Sequence, residues 1–209
     1  MLAGWRNLPE VRWVRNFHVD DGYIDALATQ VRESWARNGR GERLLMSFHG
    51  VPRRTLDLGD PYHCECHATA RRLGERLGLA REDWVVTFQS RFGKAQWLQP
   101  YTEPTLERLA REGVRRIDAV CPGFVVDCLE TLEEIAMEAK EAFLHAGGES
   151  FRYIECLNGA PAFIDGLAGL VERQMSGWPT LALDADASVR RDRLLVERRA
   201  RAVELGAQG

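Results

Sequence analysis

Short apolar runs alternate with longer amphipathic stretches along the chain. Runs rich in β-branched or aromatic residues predict strands at residues 43–48, 84–89, 116–121 and 151–155. Helical periodicity follows these runs at residues 60–79, 102–112, 126–146 and 160–174, and also covers residues 21–37 ahead of the first one. A weaker apolar run at residues 11–17 predicts one more strand. Alternating strands and helices predict an α/β fold with a four-stranded parallel sheet flanked by helices.

Glycine and threonine positions support the ends of these elements. Gly78, Gly113 and Gly147 follow helical stretches, where glycine commonly ends a helix, and Thr102 is placed to cap the helix that follows it. The periodic pattern stops after residue 174, and the last segment is rich in arginine without a strong apolar face. We therefore divide the chain into a leading strand and helix (1–40), an α/β domain (41–174) and an Arg-rich C-terminal tail (175–209). A solvated helix is the favoured interpretation of the tail, and a basic arm for a partner is the alternative.

Composition narrows the class of protein. The chain has 209 residues, of which 45% are hydrophobic, and a formal net charge of −3. These values are typical of a globular protein with a hydrophobic core. We find no apolar run long enough for a transmembrane segment and no secretory h-region near the start, so we expect a cytoplasmic protein. Because positive charges are interspersed with negative ones, we expect no nucleic-acid partner.

The cysteines do not form an evident framework. Their number, 5, is odd, which favours free thiols over disulfides in a chain without an export signal. Two of them lie in the HCECH segment at residues 63–67, which has the residue types of a metal site. A structural zinc or iron–sulfur site needs four well-separated ligands, usually in spaced pairs. We therefore interpret this segment as thiols and imidazoles on the first turns of a helix.

The ends of the predicted strands are the first place to search for a site, because ligands of parallel sheets bind beyond the carboxyl ends of the strands. His49 is the only histidine at such an end, and the flexible Gly50 that follows allows a ligand to approach the backbone. A single histidine in a loop is about as often a structural group as a functional one. Its position favours a functional role.

The predicted helix 126–146 carries an acidic stripe opposite an apolar face. The stripe consists of Asp127, Glu130, Glu134, Glu138 and Glu141. The apolar face consists of Leu129, Leu132, Ile135, Ala136, Ala139 and Phe143. Alone, the stripe is typical of a solvated helix whose first-turn acids suit the helix dipole. Together with a strand-end imidazole, these carboxylates are the groups that a site handling a divalent metal and a proton requires.

Several segments in order resemble the ferrochelatase family, most closely its proteobacterial members. They are LMSFHGVP (45–52), GDPY (59–62), FQSRFG (88–93), WLQPYT (97–102), CPGF (121–124), DCLETLEEI (127–135) and NGAP (158–161). The resemblance implies a chelatase-like, Rossmann-like domain, one of two that face each other across a cleft. It also implies insertion of ferrous iron into protoporphyrin IX, which forms protohaem. The chain resembles the C-terminal half of the family enzyme.

The resemblance implies roles for individual residues. His49 matches the strand-end histidine of the family, Glu130 the glutamate paired with it in iron binding, and Glu134 a further acid on the path of metal or protons. Gln89, Ser90, Arg91 and Trp97 fall in segments expected to border the porphyrin. Some members have a histidine at the position of Cys128. We expect no tightly bound cofactor, with Fe²⁺ as substrate, and no iron–sulfur cluster, since the C-terminal cysteine motif of some members does not occur.

Three interpretations of the chain remain open. It can act as a ferrochelatase, with the other half supplied by a separate N-terminal domain or by self-association. It can insert another metal, such as cobalt, or use another tetrapyrrole, although short cobalt chelatases usually have more histidines near the site. It can also be a catalytically silent metal-binding half-domain or fragment.

Overall fold

A computed structural model describes residues 4–6, 8–178 and 185–208 of the chain. Its contacts divide into two compact units, Met1–Gln174 and Met175–Gly209. The first unit contains the sheet and the candidate site. Within the described residues, no helix combines the length and the apolar character needed to cross a membrane. All 5 cysteines are free thiols, as the odd number predicts.

The four predicted strands are present and form one parallel sheet. They are β1 (Arg43–His49), β2 (Trp84–Gln89), β3 (Arg116–Val120) and β4 (Ser150–Tyr153), in the order β2-β1-β3-β4. All three pairings are parallel, and the register places His49 beside Gln89 at the carboxyl end of the sheet. The α/β fold class is confirmed.

Helices cover both faces of this sheet. The helices of the first unit are α1 (Asp21–Asn38), α2 (Arg53–Asp57), α3 (Tyr62–Leu77), α4 (Thr102–Arg111), α5 (Leu129–Leu132), α6 (Lys140–His145) and α7 (Pro161–Gln174). A π-helical segment, Glu134–Ala139, lies between α5 and α6. In β1, Phe48 belongs to the core shared with α1, α3 and α7, whereas Leu45 belongs to the core shared with α4, the π-helical segment and α6. The alternation of side chains along a strand produces these two cores.

In the described residues of the second unit the chain forms one helix, α8 (Ala185–Glu204). None of its described side chains is buried, and apolar residues such as Val196 are exposed along with the arginines. The tail therefore forms a solvated helix over these residues.

Two predictions about local structure are wrong. Residues 11–17 form no strand, because their backbone pairs with no strand of the sheet. Thr102 is the first residue of α4 rather than its cap, which is Tyr101. The Thr102 hydroxyl is instead buried, where it donates to the Thr87 hydroxyl at 3.0 Å.

The predicted helix 126–146 is also wrong as a continuous element. It begins only at Leu129 and widens at the π-helical segment, where the Glu138 amide donates to the Glu133 carbonyl at 2.9 Å. One extra residue in a turn rotates the following side chains by about 100°. Ile135, Ala139 and Phe143 therefore face the core, whereas Leu129 and Leu132 are 70% and 48% exposed.

Two glycines allow α1 and α7 to touch at their backbones. A Cβ at Gly166 would lie 2.9 Å from the carbonyl carbon of Gly22, and a Cβ at Gly22 would lie 2.8 Å from the Cα of Gly166. Backbone atoms cannot move aside as a flexible side chain can. The helices must separate if either position gains a methyl group.

We expect Gly166→Ala to lower the free energy of unfolding by about 1–3 kcal/mol, because the methyl group overpacks this crossing. Gly169→Ala on the same helix is the matched control, since its Cβ would meet only the end of the Arg173 side chain at 3.5 Å. Helix propensity should make that control neutral or more stable by up to about 1 kcal/mol. Thermal or urea denaturation measures both, and equal stability of the two variants would contradict the close crossing.

Candidate functional site

His49 ends β1 and has a defined tautomer. Its Nδ1 lies 2.6 Å from the Gly50 carbonyl oxygen. A carbonyl only accepts, so Nδ1 carries the proton and Nε2 keeps the lone pair. The Tyr62 hydroxyl of α3 donates to the His49 carbonyl at 2.9 Å, and the Phe124 ring lies 6.3 Å from the imidazole. The imidazole is thus held in place with one nitrogen available as a base.

Gly50 keeps the chain after His49 close to β2. Its amide donates to the Gln89 carbonyl at 2.7 Å. A Cβ at this position would lie 2.7 Å from the same oxygen and 3.2 Å from the Trp97 ring. Only glycine fits here. Gly50 is therefore needed for the close contact with the backbone of β2, rather than for the flexibility that the sequence suggested.

Gln89 joins the sheet to the acidic helix. The side chain is 6% exposed, and its Oε1 accepts from the Ser47 hydroxyl of β1 at 2.8 Å. Its Nε2 donates to the Glu130 carbonyl at 2.6 Å. A buried amide with both ends paired fixes its neighbours firmly, because breaking either bond leaves a buried polar atom unsatisfied.

Glu134 also faces β2. Its Oε2 accepts from the Ser90 hydroxyl at 2.6 Å and lies 3.4 Å from Gln89 Nε2. Ser90 has a φ of 62°, an uncommon value for serine, in the turn that leaves β2. Two residues that the sequence predicts for different roles, Ser90 and Glu134, therefore form one hydrogen-bonded unit.

Glu130 carries the carboxylate that is electrostatically linked to His49. A hydrogen bond from the Cys128 thiol, followed by the backbone amide of Glu130 and the charge of His49, lowers the pKa of this carboxyl group. Glu130 is therefore ionised at neutral pH. We did not predict from the sequence that Cys128 donates to Glu130. The sequence feature that could have indicated it is the place of Cys128 two residues before Glu130, at the N-cap of α5.

A cavity of about 350 Å³ lies beside these groups. Its lining includes Gln89, Ser90, Arg91, Tyr101, Glu134 and Glu138. The Arg91 guanidinium lies 5.0 Å from the centre of the Tyr101 ring. The structure thus brings together three of the four residues predicted to border the porphyrin.

Trp97, the fourth, lies outside the lining of this cavity. Its indole N–H donates to the Phe92 carbonyl at 2.9 Å, and the two rings meet edge to face with centroids 6.0 Å apart. The indole also packs against the turn at Gly50. Among the described residues, no three His, Cys, Asp or Glu side chains lie close enough to hold a metal ion together.

Comparison with known proteins identifies the family. The family model of ferrochelatase matches residues 1–175. The chain belongs to the ferrochelatase family. Relatives named ferrochelatase include one from Azoarcus sp. (strain BH72), 63% identical over 186 residues that cover 89% of this chain and 51% of the relative. Another, from Thioalkalivibrio sulfidiphilus (strain HL-EbGR7), is 55% identical over 100% of this chain and 56% of the relative.

The chain spans about half the length of the curated ferrochelatases that it matches, as the 48% coverage of the relative from Polaromonas sp. (strain JS666 / ATCC BAA-500) also illustrates. That relative is 64% identical over 177 residues, or 85% of this chain. Family membership agrees with the resemblance seen in the motifs. The half of the family enzyme that this chain matches is the half that contains the positions of His49, Glu130 and Glu134.

The Asp127 side chain has different surroundings from those of the other acidic residues in this ferrochelatase domain. Its carboxylate accepts from the Tyr153 hydroxyl at 2.6 Å, from Asn158 Nδ2 at 2.7 Å and from the Cys156 amide at 3.2 Å. Burial alone would raise the pKa of Asp127, but these hydrogen bonds outweigh burial and lower it. Asp127 therefore ties the start of the acidic helix to the chain after β4, and Glu141 is exposed. The single acidic stripe predicted from the sequence is divided between separate environments.

We expect Asp127→Asn to lower the free energy of unfolding at pH 7 by about 1–2 kcal/mol, because an amide nitrogen would face a hydrogen-bond donor. Folding lowers the pKa of Asp127 below its value in the unfolded chain, near 3.8, so the ionised carboxylate stabilises the folded chain above this pH. That stabilisation is lost as the pH falls through the lower pKa of the folded state. The difference between the native chain and the variant should therefore shrink below pH 3.8. Urea denaturation across pH measures this, with Asp165→Asn, at an exposed site on α7, as the control. A difference that stays constant with pH would contradict this role.

Proposed function

We propose that this chain is the metal-inserting half of a ferrochelatase, which places Fe²⁺ into protoporphyrin IX to form protohaem in haem biosynthesis. The observation that carries the proposal is the state of His49, whose Nδ1 donates to the Gly50 carbonyl while Nε2 remains available. Glu130, whose pKa is lowered first by the Cys128 thiol and to a smaller extent by the charge of His49, stays ionised. A base and a carboxylate are the groups that exchange of two protons for a divalent cation requires.

His49 accepts the first proton in this proposal. Insertion of Fe²⁺ releases two pyrrole N–H protons, and the metal takes the electron pairs that the nitrogens keep. Nε2 receives one proton, which makes the imidazole a cation. The Nδ1–H bond to the Gly50 carbonyl then strengthens, and the Glu130 carboxylate stabilises the new charge.

Glu130 holds the incoming metal as an oxygen ligand. Carboxylate oxygen bonds to Fe²⁺ exchange more readily than thiolate bonds, so the ion can pass on to the macrocycle. Glu134 and Glu138 line the neighbouring cavity and take the second proton towards solvent. Ser90 donates to Glu134 and thereby keeps that carboxylate facing the cavity.

The porphyrin brings a flat apolar face and two carboxylates. Trp97 and the 66% exposed Phe92 offer an aromatic edge, and Arg91 offers a guanidinium for a propionate group. On the acidic helix, Leu129 and Met137 are 70% and 61% exposed and offer further apolar surface. The other half of the family enzyme, as a separate domain, would cover the opposite face of the ring. A second copy of this chain is the alternative cover.

The test is a metal-insertion assay on the chain together with the separately expressed remaining half of the Azoarcus relative. Insertion of Fe²⁺, Zn²⁺ or Co²⁺ into protoporphyrin is followed by absorbance and fluorescence. We expect insertion by the two halves, with Fe²⁺ and Zn²⁺ as better substrates than Co²⁺. Binding of porphyrin without insertion of any metal would contradict the proposal and favour a silent half-domain.

In this assay we expect His49→Ala to slow insertion at least about 100-fold, the lower range for loss of a general base. His145→Ala is the matched control, because His145 is exposed at the end of α6. Circular dichroism checks that both variants fold. Near-normal insertion by folded His49→Ala would overturn the assignment of the base.

For Glu130→Gln we expect a higher KM for the metal, since the amide keeps the shape of the side chain but loses its charge. Glu133→Gln changes an exposed acid three residues along the chain and should leave the KM for Zn²⁺ unchanged. Initial rates against Zn²⁺ concentration give both values. Equal KM values for the two variants would remove Glu130 from the proposed metal path.

A further inference from the structure

His63 and His67 form a pair outside the site described above. They lie one turn apart on α3, and their ring centroids are 4.5 Å apart at an interplanar angle of 56°. Both are only partly buried, so solvent reaches them. Residues four apart share a face of a helix, and two histidines at this spacing can bind one metal ion. The mechanism proposed above uses neither side chain.

Phe88 holds both rings in place. The His63 ring stacks on it with centroids 5.7 Å apart at an interplanar angle of 21°, and the His67 ring lies 6.2 Å from it. Phe88 is itself fully buried in β2. Packing against this buried ring limits the side-chain entropy that the imidazoles lose when they bind a ligand.

The surroundings of both imidazoles disfavour their charged form. Burial, followed by the charge of Arg53, lowers the pKa of His63. Burial, followed by the charges of His63, Arg81 and Arg71, lowers the pKa of His67.

These arginines also repel a cation, but two of them are engaged elsewhere. Arg53 Nε donates to Asp57 at 3.1 Å, and the Arg81 guanidinium lies 4.2 Å from the centre of the Trp84 ring. The repulsion should weaken metal binding without preventing it.

The neighbouring cysteines contribute little to the ligand set. Cys66 is buried, and burial raises the pKa of its thiol to about 12, so it is not a thiolate at neutral pH. Cys64 is exposed on the next position of the helix. In the part of the chain that the structure describes, no third His, Cys, Asp or Glu joins a cluster able to hold a metal. Two imidazoles are therefore the protein donors.

We propose that His63 and His67 form a second metal site, which binds a borderline divalent transition ion such as Zn²⁺ or Cu²⁺ with water at the remaining positions. Imidazole nitrogen suits these ions better than it suits Mg²⁺ or Ca²⁺. The site is open and exchangeable. It is separate from the proposed insertion path, although Tyr62, the residue before His63, donates to the His49 carbonyl.

The test uses the full chain with His49→Ala, so that the proposed insertion site cannot contribute its imidazole. Isothermal titration with ZnCl₂ should show one equivalent of bound ion. His63→Gln and His67→Gln should each weaken binding at least about tenfold, the least that loss of a group supporting a metal site costs. His145→Gln, which removes an exposed single histidine, should leave the affinity unchanged.

Three results would overturn the proposal: no Zn²⁺ binding by the parent, loss in only one of the two variants, or equal loss in His145→Gln. Histidine-labelled NMR of the parent gives a second measurement that needs no variant at the pair. Two imidazoles linked by a ring-to-ring NOE should shift together on Zn²⁺ addition, and shifts at His18 or His145 instead would exclude the pair. Neither measurement depends on insertion activity, so the result is independent of the proposed function.

Discussion

The candidate site depends on the buried side-chain amide of Gln89. One end accepts from Ser47 of β1, and the other donates to the carbonyl of Glu130 at the start of the acidic helix. The Ser47 hydroxyl is in turn 3.1 Å from that of Thr102, the first residue of α4. Loss of a partner for such a buried group costs about 1–3 kcal/mol, so sheet, α4 and acidic helix hold one another in register. The hydrogen bond from Gln89 thus holds the backbone of Glu130 against the carboxyl end of the sheet.

A second constraint acts on the other side of His49. The Gly50 amide is bonded to the Gln89 carbonyl, and the Tyr62 hydroxyl is bonded to the His49 carbonyl. The backbone of His49 is thus fixed from β2 and from α3, while the imidazole is fixed by its own Nδ1–H bond. An imidazole with a set tautomer needs no reorganisation before it accepts a proton. The same residues that end the strand therefore determine which nitrogen can react.

Sequence periodicity was sufficient for the sheet but not for the acidic helix. Runs rich in β-branched or aromatic residues predicted all four strands, and the strand-end rule pointed to His49. The resemblance to a family added Glu130 and Glu134. Periodicity could not predict the π-helical turn, because that turn depends on which carbonyl the Glu138 amide meets. It also could not predict that Thr102 is buried among hydroxyls, or that Asp127 is bound to Tyr153 and Asn158. The surroundings of Thr102 and Asp127 come from tertiary hydrogen bonds between residues far apart in the chain, whereas the π-helical turn is a local choice of acceptor.

The late start of the acidic helix and its widened turn divide the acidic residues among different surroundings. A continuous helix would line up five carboxylates on one face, where their mutual repulsion would raise their pKa values. In the structure Asp127 is bound to Tyr153 and Asn158, Glu130 lies near His49, and Glu134 and Glu138 line the cavity. Glu130 keeps a lowered pKa although four other acids lie nearby in the sequence, because it depends first on the Cys128 thiol, then on the backbone amide of Glu130 and the charge of His49. In the mechanism proposed above, such a carboxylate can hold a cation without competing with the other acids of the helix.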